Sequence, residues 1–249
     1  MSVLMRTVRP IQKWTQIESR AVVELENGAE MDQPTFHELY KQTPEGFKAE
    51  LIGGTVYVMA SPVSIRHGRP HARAVYWLAW YSEHTLGTEA LDDTTNILGK
   101  RSEPQPDTCL YVLPEYGGQV SFDREGYLKG PAELVVEVAN SSIAIDLGRK
   151  KHDYEEYGVR EYLVVLAKEE TVIWFVRENK TFQEIPPGDD GTIHSKVFPG
   201  LWLDPRGLFG PTTKHLTAAV NRGIQTREHA AFVVALQEQA KKHRKRKGK

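Results

Sequence analysis

The sequence is poor in cysteine and in long apolar runs, and each shortage excludes a class of protein. The single cysteine, Cys109, excludes an internal disulfide and a zinc site built from several cysteines, so we expect a protein of the reducing cytoplasm. No apolar run approaches the roughly 20 residues of a membrane-spanning helix. The N-terminal stretch MSVLMRTVRPIQKW lacks the apolar segment of a signal peptide. We therefore expect no membrane partner.

The charge of the chain is unevenly distributed. The 249 residues carry a formal charge of −1, but the last nine, KKHRKRKGK, hold seven lysines and arginines and no acid, so the rest of the chain carries about −8. Such a run is usually disordered and binds phosphate backbones with a strong dependence on salt, although a solubilising tail has the same composition. The residues that this pattern predicts to bind nucleic acid are Lys241, Lys242, Arg244, Lys245, Arg246 and Lys247.

Hydrophobic periodicity and turn residues predict alternating helices and strands. A helix is expected after a cap at Asp32 or Thr35, followed by a hairpin in which the stretches ELI and VYV flank Gly53-Gly54. The central elements are expected as a helix over 67–86, strands within 88–99 and 104–116, a loop over 114–130 and a buried strand within 131–142. A helix that ends at Gly158 and a hairpin over 159–179 are expected to follow. Further along, an apolar set is expected to pack on the sheet (Val197, Leu201, Trp202 and Leu203), and a helix is expected over about 224–240. Helix, three strands, helix and strand in this order predict an α/β protein with a mixed sheet.

One charge interrupts the buried strand. In LVVEVA, residues 134–139, Glu137 stands among apolar residues, and an unpaired buried charge costs roughly several kcal/mol. The alternative is an edge strand in which Glu137 faces solvent, because Val136 and Val138 lie on the opposite face. A strand followed by a helix is usually covered on both faces, which favours a buried carboxylate with a partner.

Three other ionisable residues interrupt sensible patterns. Glu50 opens the hairpin, Asp107 follows a proline where a strand begins, and a lysine, either Lys150 or Lys151, lies on the apolar face of a helix. Each has an ordinary explanation alone, since Pro-Asp often begins a turn and surface hairpins and helices tolerate charge. Together, however, carboxylates that converge need a cation between them. Oxygen ligands favour Mg²⁺ or Mn²⁺, and a nearby lysine would orient or help deprotonate an attacking water or steady charge on a phosphate. This combination is typical of metal-assisted phosphodiester hydrolysis.

Several spaced motifs carry a resemblance to a known family. The segments ELIGGTVYVMASPVSIRH, PQPD, AELVVEVANSS and DLGRKKHDYEEYGVREYLVV occur in the order and spacing of the Uma2 family, which resembles restriction endonucleases of the PD-(D/E)XK superfamily. The resemblance covers roughly residues 35–180. It implies a restriction-endonuclease-like αβββαβ core with a mixed central β-sheet flanked by helices, with an N-terminal hairpin and a C-terminal extension. The chain would then divide into a leader over 1–33, a nuclease domain over 34–205 and a helical extension with a basic tail over 206–249.

The resemblance also implies roles for individual residues. Asp107 matches the aspartate of the "PD" motif, Glu137 the acid of the third strand, and Glu50 the glutamate before the glycine hairpin; these three would bind Mg²⁺ or Mn²⁺. The spacing Asp-x3-Lys-x3-Tyr-x3-Gly selects Lys150 over Lys151 as the catalytic lysine. That lysine is displaced onto the helix, because Ala139 stands where the superfamily has a lysine on the strand. The candidate accessory residues are His67, Gln105 and Tyr154. His67 matches a histidine at the start of the first core helix, where a structural role and a role as a ligand are equal alternatives.

These features lead to two hypotheses of different classes. The first is a Mg²⁺-dependent endonuclease that acts on DNA, in which the basic tail adds affinity for the backbone. The second is a nuclease-fold module that binds nucleic acid or acts in an assembly without turnover. RNA or branched substrates remain open in the sequence, and a homodimer would suit the cutting of both strands of a duplex.

Overall fold

The computed structural model describes residues 25–59 and 63–248. Residues 1–24 of the predicted leader, and with them most of the stretch RAVVELENG, residues 20–28, lie outside these ranges. The helices are α1 (Gln33–Tyr40), α2 (Ile65–Glu83), α3 (Ile143–Ile145), α4 (Lys151–Tyr157), α5 (Arg206–Phe209), α6 (Lys214–Gly223) and α7 (Arg227–Lys247). The strands are β1 (Ala49–Ile52), β2 (Thr55–Val58), β3 (Thr88–Asp92), β4 (Asn96–Ile97), β5 (Thr108–Val112), β6 (Ser121–Phe122), β7 (Leu128–Lys129), β8 (Leu134–Ala139), β9 (Glu161–Leu166), β10 (Thr171–Glu178), β11 (Thr181–Glu184), β12 (Ile193–His194) and β13 (Trp202–Leu203).

The central sheet has six strands in the order β11-β10-β9-β8-β5-β3. Strands β8 and β9 run parallel, and the other neighbours run antiparallel, so the sheet is mixed. The predicted order of helix, three strands, helix and strand is confirmed as α2, β3, β5, β8, α4 and β9. Because β8 lies between β5 and β9, the alternative of an edge strand for LVVEVA is excluded.

The alternation of β8 divides the core into two layers. Val136 and Val138 face the layer that contains Trp77 of α2, whereas Val135 and Ala139 face the layer that contains Tyr154 of α4. Glu137 shares the second face, because side chains two residues apart on a strand point the same way. The charge is therefore turned toward a helix and not toward solvent.

The N-terminal hairpin contacts the first turn of α4. Gly53 and Gly54 form the turn between β1 and β2 with φ angles of 60° and 87°, values that favour glycine. The backbone N–H of Gly53 donates to Asp153 Oδ2 on α4 at 2.7 Å. As predicted, Asp32 caps α1, and its side chain accepts from the N–H of Thr35 at 3.0 Å. The hairpin thus places β1 beside the α4 face of the sheet.

The C-terminal extension covers the α2 face of the sheet. The predicted apolar set packs there: Leu201 and Leu203 are buried in the layer that contains α2, and the indole N–H of Trp77 donates to the carbonyl of Trp202 at 3.0 Å. Over 25–59 and 63–248, no helix is long and apolar enough to span a membrane.

The expectation of a disordered basic tail is wrong, because α7 continues through it to Lys247. The tail is rich in lysine and arginine, which favour helix, and it has no glycine or proline before Gly248. Its cations also lie at the C-terminal end of α7, where the helix dipole is negative. The start of α7 contacts the C-terminal end of α2. His229 Nε2 lies 3.0 Å from Thr85 Oγ1, just beyond the last residue of α2.

Candidate active site

Glu137 is buried under α4 and has two donors. Its carboxylate oxygen Oε1 lies 3.0 Å from Lys150 Nζ and accepts from Tyr154 OH at 2.7 Å. Only 3% of Glu137 is exposed, and this burial raises its pKa well above the usual range, against the opposing effect of Lys150. The buried charge that interrupts β8 is therefore satisfied by groups from a single helical segment.

Lys150 lies between two carboxylates. Its Nζ atom is 2.8 Å from Glu50 Oε2 and 3.0 Å from Glu137 Oε1, and the residue is 3% exposed. Burial alone would lower the pKa of Lys150, but the surrounding carboxylates, Glu137 first among them, raise it above its usual value. Lys151, by contrast, lies outside this cluster and places its Nζ over the ring of Phe175 at 4.8 Å. The structure thus brings Lys150 to the acids and leaves Lys151 apart.

A π-helical turn delivers Lys150. Residues Asp146–Lys150 form this turn between α3 and α4, and α4 ends at Gly158 with φ 94°, the glycine stop that the sequence predicts. The same turn brings in Asp146, whose Oδ1 lies 4.0 Å from Lys150 Nζ and whose Oδ2 accepts from Ser142 Oγ at 2.5 Å. Burial raises the pKa of Asp146. Such turns are frequent at functional sites.

Glu50 connects the hairpin to the loop before β5. Its Oε1 accepts from the backbone N–H of Gln105 at 2.6 Å, while its Oε2 contacts Lys150. The side chain of Gln105 points elsewhere, because it donates to Thr95 Oγ1 at 2.9 Å. Gln105 therefore contributes its backbone N–H, and not its side chain, to this cluster.

Asp107 lies at the start of β5, beside the backbone of β8. Its Oδ2 accepts from the N–H of Val138 at 2.7 Å, and its Oδ1 lies 3.1 Å from His67 Nε2. Burial alone would raise the pKa of Asp107, but the hydrogen bond from His67 holds it below the usual value; the same bond raises the pKa of His67. A second imidazole, His71, places Nδ1 3.8 Å from the same oxygen.

The acids thus form two neighbouring groups. Glu50, Glu137 and Asp146 surround Lys150, whereas Asp107 lies with the two histidines. Among the described residues, the group of three or more potential metal ligands whose donor atoms all lie within 4.8 Å of one another is His67, His71 and Asp107. Four acidic side chains converge here, and the raised pKa values of Glu137 and Asp146 show that their charged forms are disfavoured without a cation; a divalent ion beside them would favour the charged forms.

Sequence reasoning missed two residues of this region. Asp146 lies four residues before Lys150, and His71 lies four residues after His67, so each shares a helical face with a predicted site residue. The four-residue spacing from a predicted site residue is the signal in the sequence that could have identified both.

The basic tail lies away from these acids. The side chains of the six predicted nucleic-acid-binding residues are exposed along the last two turns of α7. Helix α2 is about 28 Å long, with His67 at one end and the α7 contact through Thr85 at the other. Gln239, just before the tail, packs against Gly117, beyond the C-terminal end of β5, whereas Asp107 precedes the N-terminal end of that strand. The tail and Asp107 therefore lie toward opposite ends of β5.

The mixed sheet flanked by helices defines a restriction-endonuclease-like α/β fold, with the acids of the PD motif and of the third strand beside each other. The sequence model of the Uma2 family, described as "Putative restriction endonuclease", matches residues 34–206. The protein therefore belongs to the Uma2 family.

One solved structure supports the same fold. It is the crystal structure of a DUF820 protein from Anabaena variabilis ATCC 29413, described as a "putative nuclease". It matches with a TM-score of 0.52 and 11% sequence identity, over 74% of this chain and 97% of that chain. No curated protein sequence matches this chain. The family description suggests a nuclease, and the neighbour shows the same fold.

Proposed function

We propose that this protein is a divalent-metal-dependent endonuclease that hydrolyses phosphodiester bonds in DNA. The observation that carries the proposal is the position of Lys150, which contacts Glu50 of the hairpin at 2.8 Å and Glu137 of β8 at 3.0 Å. Strand β8 pairs with β5, which Asp107 precedes. Buried acids and a lysine gathered from separate elements are typical of a catalytic centre.

Carboxylate chemistry supports the metal dependence. Asp107 and Glu137 would hold Mg²⁺ or Mn²⁺, with Glu50 as a further acid, directly or through water. Carboxylate oxygens are the ligands that these hard ions prefer. When bound, such an ion polarises a phosphoryl oxygen and lowers the pKa of a bound water.

The role of Lys150 follows from its charge. Because the surrounding carboxylates raise its pKa, Lys150 is protonated at neutral pH and acts as a donor. It would orient the attacking water or stabilise charge on the phosphate oxygens, and not accept a proton. Attack in line on phosphorus would break the bond to the 3′ oxygen and leave a 5′-phosphate.

Binding of the substrate would use the basic tail. The exposed lysines and arginines of α7 supply affinity for phosphates that does not depend on sequence. A homodimer would place two centres on the two strands of a duplex.

A module without turnover is the second candidate, and one observation favours it. Glu50 and Glu137 both contact Lys150 in a buried cluster, and such a cluster would also fasten the hairpin and α4 to β8 as a purely structural device.

The decisive comparison uses variants that keep size and remove charge. Asp107→Asn and Glu137→Gln should reduce Mg²⁺- or Mn²⁺-dependent nicking of a supercoiled plasmid by about 100-fold or more, because each removes a carboxylate that the ion needs. DNA binding, measured by mobility shift, should persist. The matched control is Glu156→Gln, whose carboxylate is 62% exposed and should be dispensable. Equal nicking by wild type and Glu137→Gln would contradict the proposal.

A further inference from the structure

Two histidines one turn apart on α2 face the same carboxylate oxygen. His67 Nε2 lies 3.1 Å and His71 Nδ1 lies 3.8 Å from Asp107 Oδ1, and the three donor atoms all lie within 4.8 Å of one another. The spacing of four residues places both rings on one helical face. The three side chains are 18–23% exposed, so water and a ligand can reach them. These residues form a small, accessible set of convergent donors.

The outer atoms of the same side chains already have partners. His67 Nδ1 lies 3.0 Å from the carbonyl of Val138, and His71 Nε2 lies 2.8 Å from Asp92 Oδ1. A carbonyl or a carboxylate accepts, so these outer nitrogens carry protons; the inward Nε2 of His67 would release to solvent, on metal binding, the proton that it donates to Asp107. The second oxygen of Asp107 accepts from the N–H of Val138 at 2.7 Å. Histidines that bind metals almost always donate their other N–H to a carbonyl or a carboxylate in this way. The inward atoms are thus oriented by contacts outside the cluster.

We propose that His67, His71 and Asp107 form a binding site for one divalent transition-metal ion of the Mn²⁺, Co²⁺ or Zn²⁺ class, in preference to Mg²⁺. Two imidazole nitrogens and one carboxylate are a donor set for such ions, whereas Mg²⁺ prefers oxygen ligands alone. A set of three ligands also leaves positions for water or substrate.

The site shares one residue with the proposed catalytic centre but does not depend on nuclease activity. Glu50 and Glu137 are engaged by Lys150, whereas Asp107 Oδ1 has the two imidazoles beside it. The inference therefore predicts that His71, outside the expected set of acids, controls which metal the protein takes.

Calorimetric titration of the full chain with CoCl₂, MnCl₂ and MgCl₂ tests this. Wild type should bind one Co²⁺ per chain, about tenfold or more tighter than Mg²⁺. His71→Ala should lose about tenfold or more of the Co²⁺ affinity and should change the visible absorption of bound Co²⁺, since an imidazole leaves its coordination. The matched control is His152→Ala, which removes a 73% exposed histidine on α4 and should bind Co²⁺ as wild type does.

Two results would overturn the proposal: equal Co²⁺ affinity of wild type and His71→Ala, or Mg²⁺ affinity equal to that for Co²⁺. Thermal unfolding establishes that His71→Ala is folded. Asp92→Asn provides a second variant, because it keeps all three ligands and removes the carboxylate partner of His71 Nε2, which also lies 2.9 Å from the carbonyl of Asp107; it should weaken Co²⁺ binding by less than His71→Ala does. A loss of Co²⁺ affinity in Asp92→Asn that exceeds the loss in His71→Ala would show that His71 is not a ligand and would also overturn the proposal.

The same titration separates this inference from the proposed function. Glu137→Gln should abolish cleavage and keep Co²⁺ binding. A wild-type protein that binds Co²⁺ through His71 but never cleaves nucleic acid would contradict the nuclease proposal and support the metal site.

Discussion

Lys150 Nζ lies 2.8 Å from Glu50 Oε2 and 3.0 Å from Glu137 Oε1, so one buried cation joins carboxylates from the N-terminal hairpin and the central strand. The hairpin, the sheet and α4 therefore meet at a single ion cluster. The stability of this cluster and its proposed chemistry both depend on the side chain of Lys150.

Replacement of Lys150 by methionine should destabilise the fold strongly. Glu50 and Glu137 would remain buried without their cation, and breaking a buried ion pair in this way costs about 3–5 kcal/mol. The measurement is the free energy of unfolding in urea, with a chelator present so that no ion replaces the lysine. Cleavage of DNA should be lost as well.

The neighbouring lysine is the matched control for this change. Lys151→Met removes a cation that lies over Phe175 at 4.8 Å, and such contacts contribute about 0.5–1 kcal/mol. Equal unfolding free energies for the two methionine variants would contradict the assignment of Lys150 to the ion cluster.

The pair of His67 and Asp107 should make stability depend on pH. The hydrogen bond to Asp107 raises the pKa of His67 above 6.5, so its contribution is complete below that value and is lost as pH rises through the folded pKa. The pKa of Asp107 is lowered from 3.8, so its contribution is present above that value and is lost as pH falls through the folded pKa. The pair of His67 and Asp107 therefore contributes most to the free energy of unfolding between pH 3.8 and pH 6.5.

His67→Gln should accordingly lower the free energy of unfolding by about 1–2 kcal/mol more at about pH 5.5 than at about pH 9. Urea unfolding of the metal-free protein at the two pH values measures the difference, with His152→Gln as an exposed control. A cost that is the same at both values would show that His67 acts through packing alone.

The basic tail should favour long substrates. Replacement of Lys241, Lys242, Arg244, Lys245, Arg246 and Lys247 by glutamine keeps good helix formers and removes the charge. Because the tail and Asp107 lie toward opposite ends of β5, a long duplex can contact both at once, whereas a duplex of about 6 base pairs, roughly 20 Å long, is expected to contact one at a time. The kcat/KM for cleavage of a long duplex should fall, with a shallower salt dependence, whereas that for a duplex of about 6 base pairs should change little, because the short duplex cannot hold the tail while it is cleaved. An equal loss of kcat/KM for both lengths would contradict the separation of the tail from the site.

Much of the fold could be predicted because it depends on local patterns. Gly53-Gly54 fits the hairpin turn, Gly158 ends α4, and the apolar run of β8 marks a covered strand. These signals reflect backbone geometry and burial, which neighbouring residues reveal. The structure of the basic tail was predicted wrongly. Its charge density favours disorder, but lysine and arginine also favour helix, and α7 extends through the tail to Lys247.

The site could be predicted only in part. Helical periodicity does not separate Lys150 from Lys151, because the π-helical turn at 146–150 changes the register and propensities do not reveal it. The resemblance to the Uma2 family selected Lys150, and the contacts agree. The approach of His71 to Asp107 depends on how α2 packs against the sheet, which is a tertiary contact that spacing along the chain does not contain.

Plasmid cleavage tests the central claim most directly. Wild-type protein should convert supercoiled DNA to nicked or linear forms only when Mg²⁺ or Mn²⁺ is present, and EDTA should stop the reaction. Asp107→Asn should bind the same DNA and leave it intact under the same conditions. If wild type cleaves no form of DNA with either ion, or if Asp107→Asn cleaves as well as wild type, the account of this site as a metal-dependent endonuclease is contradicted.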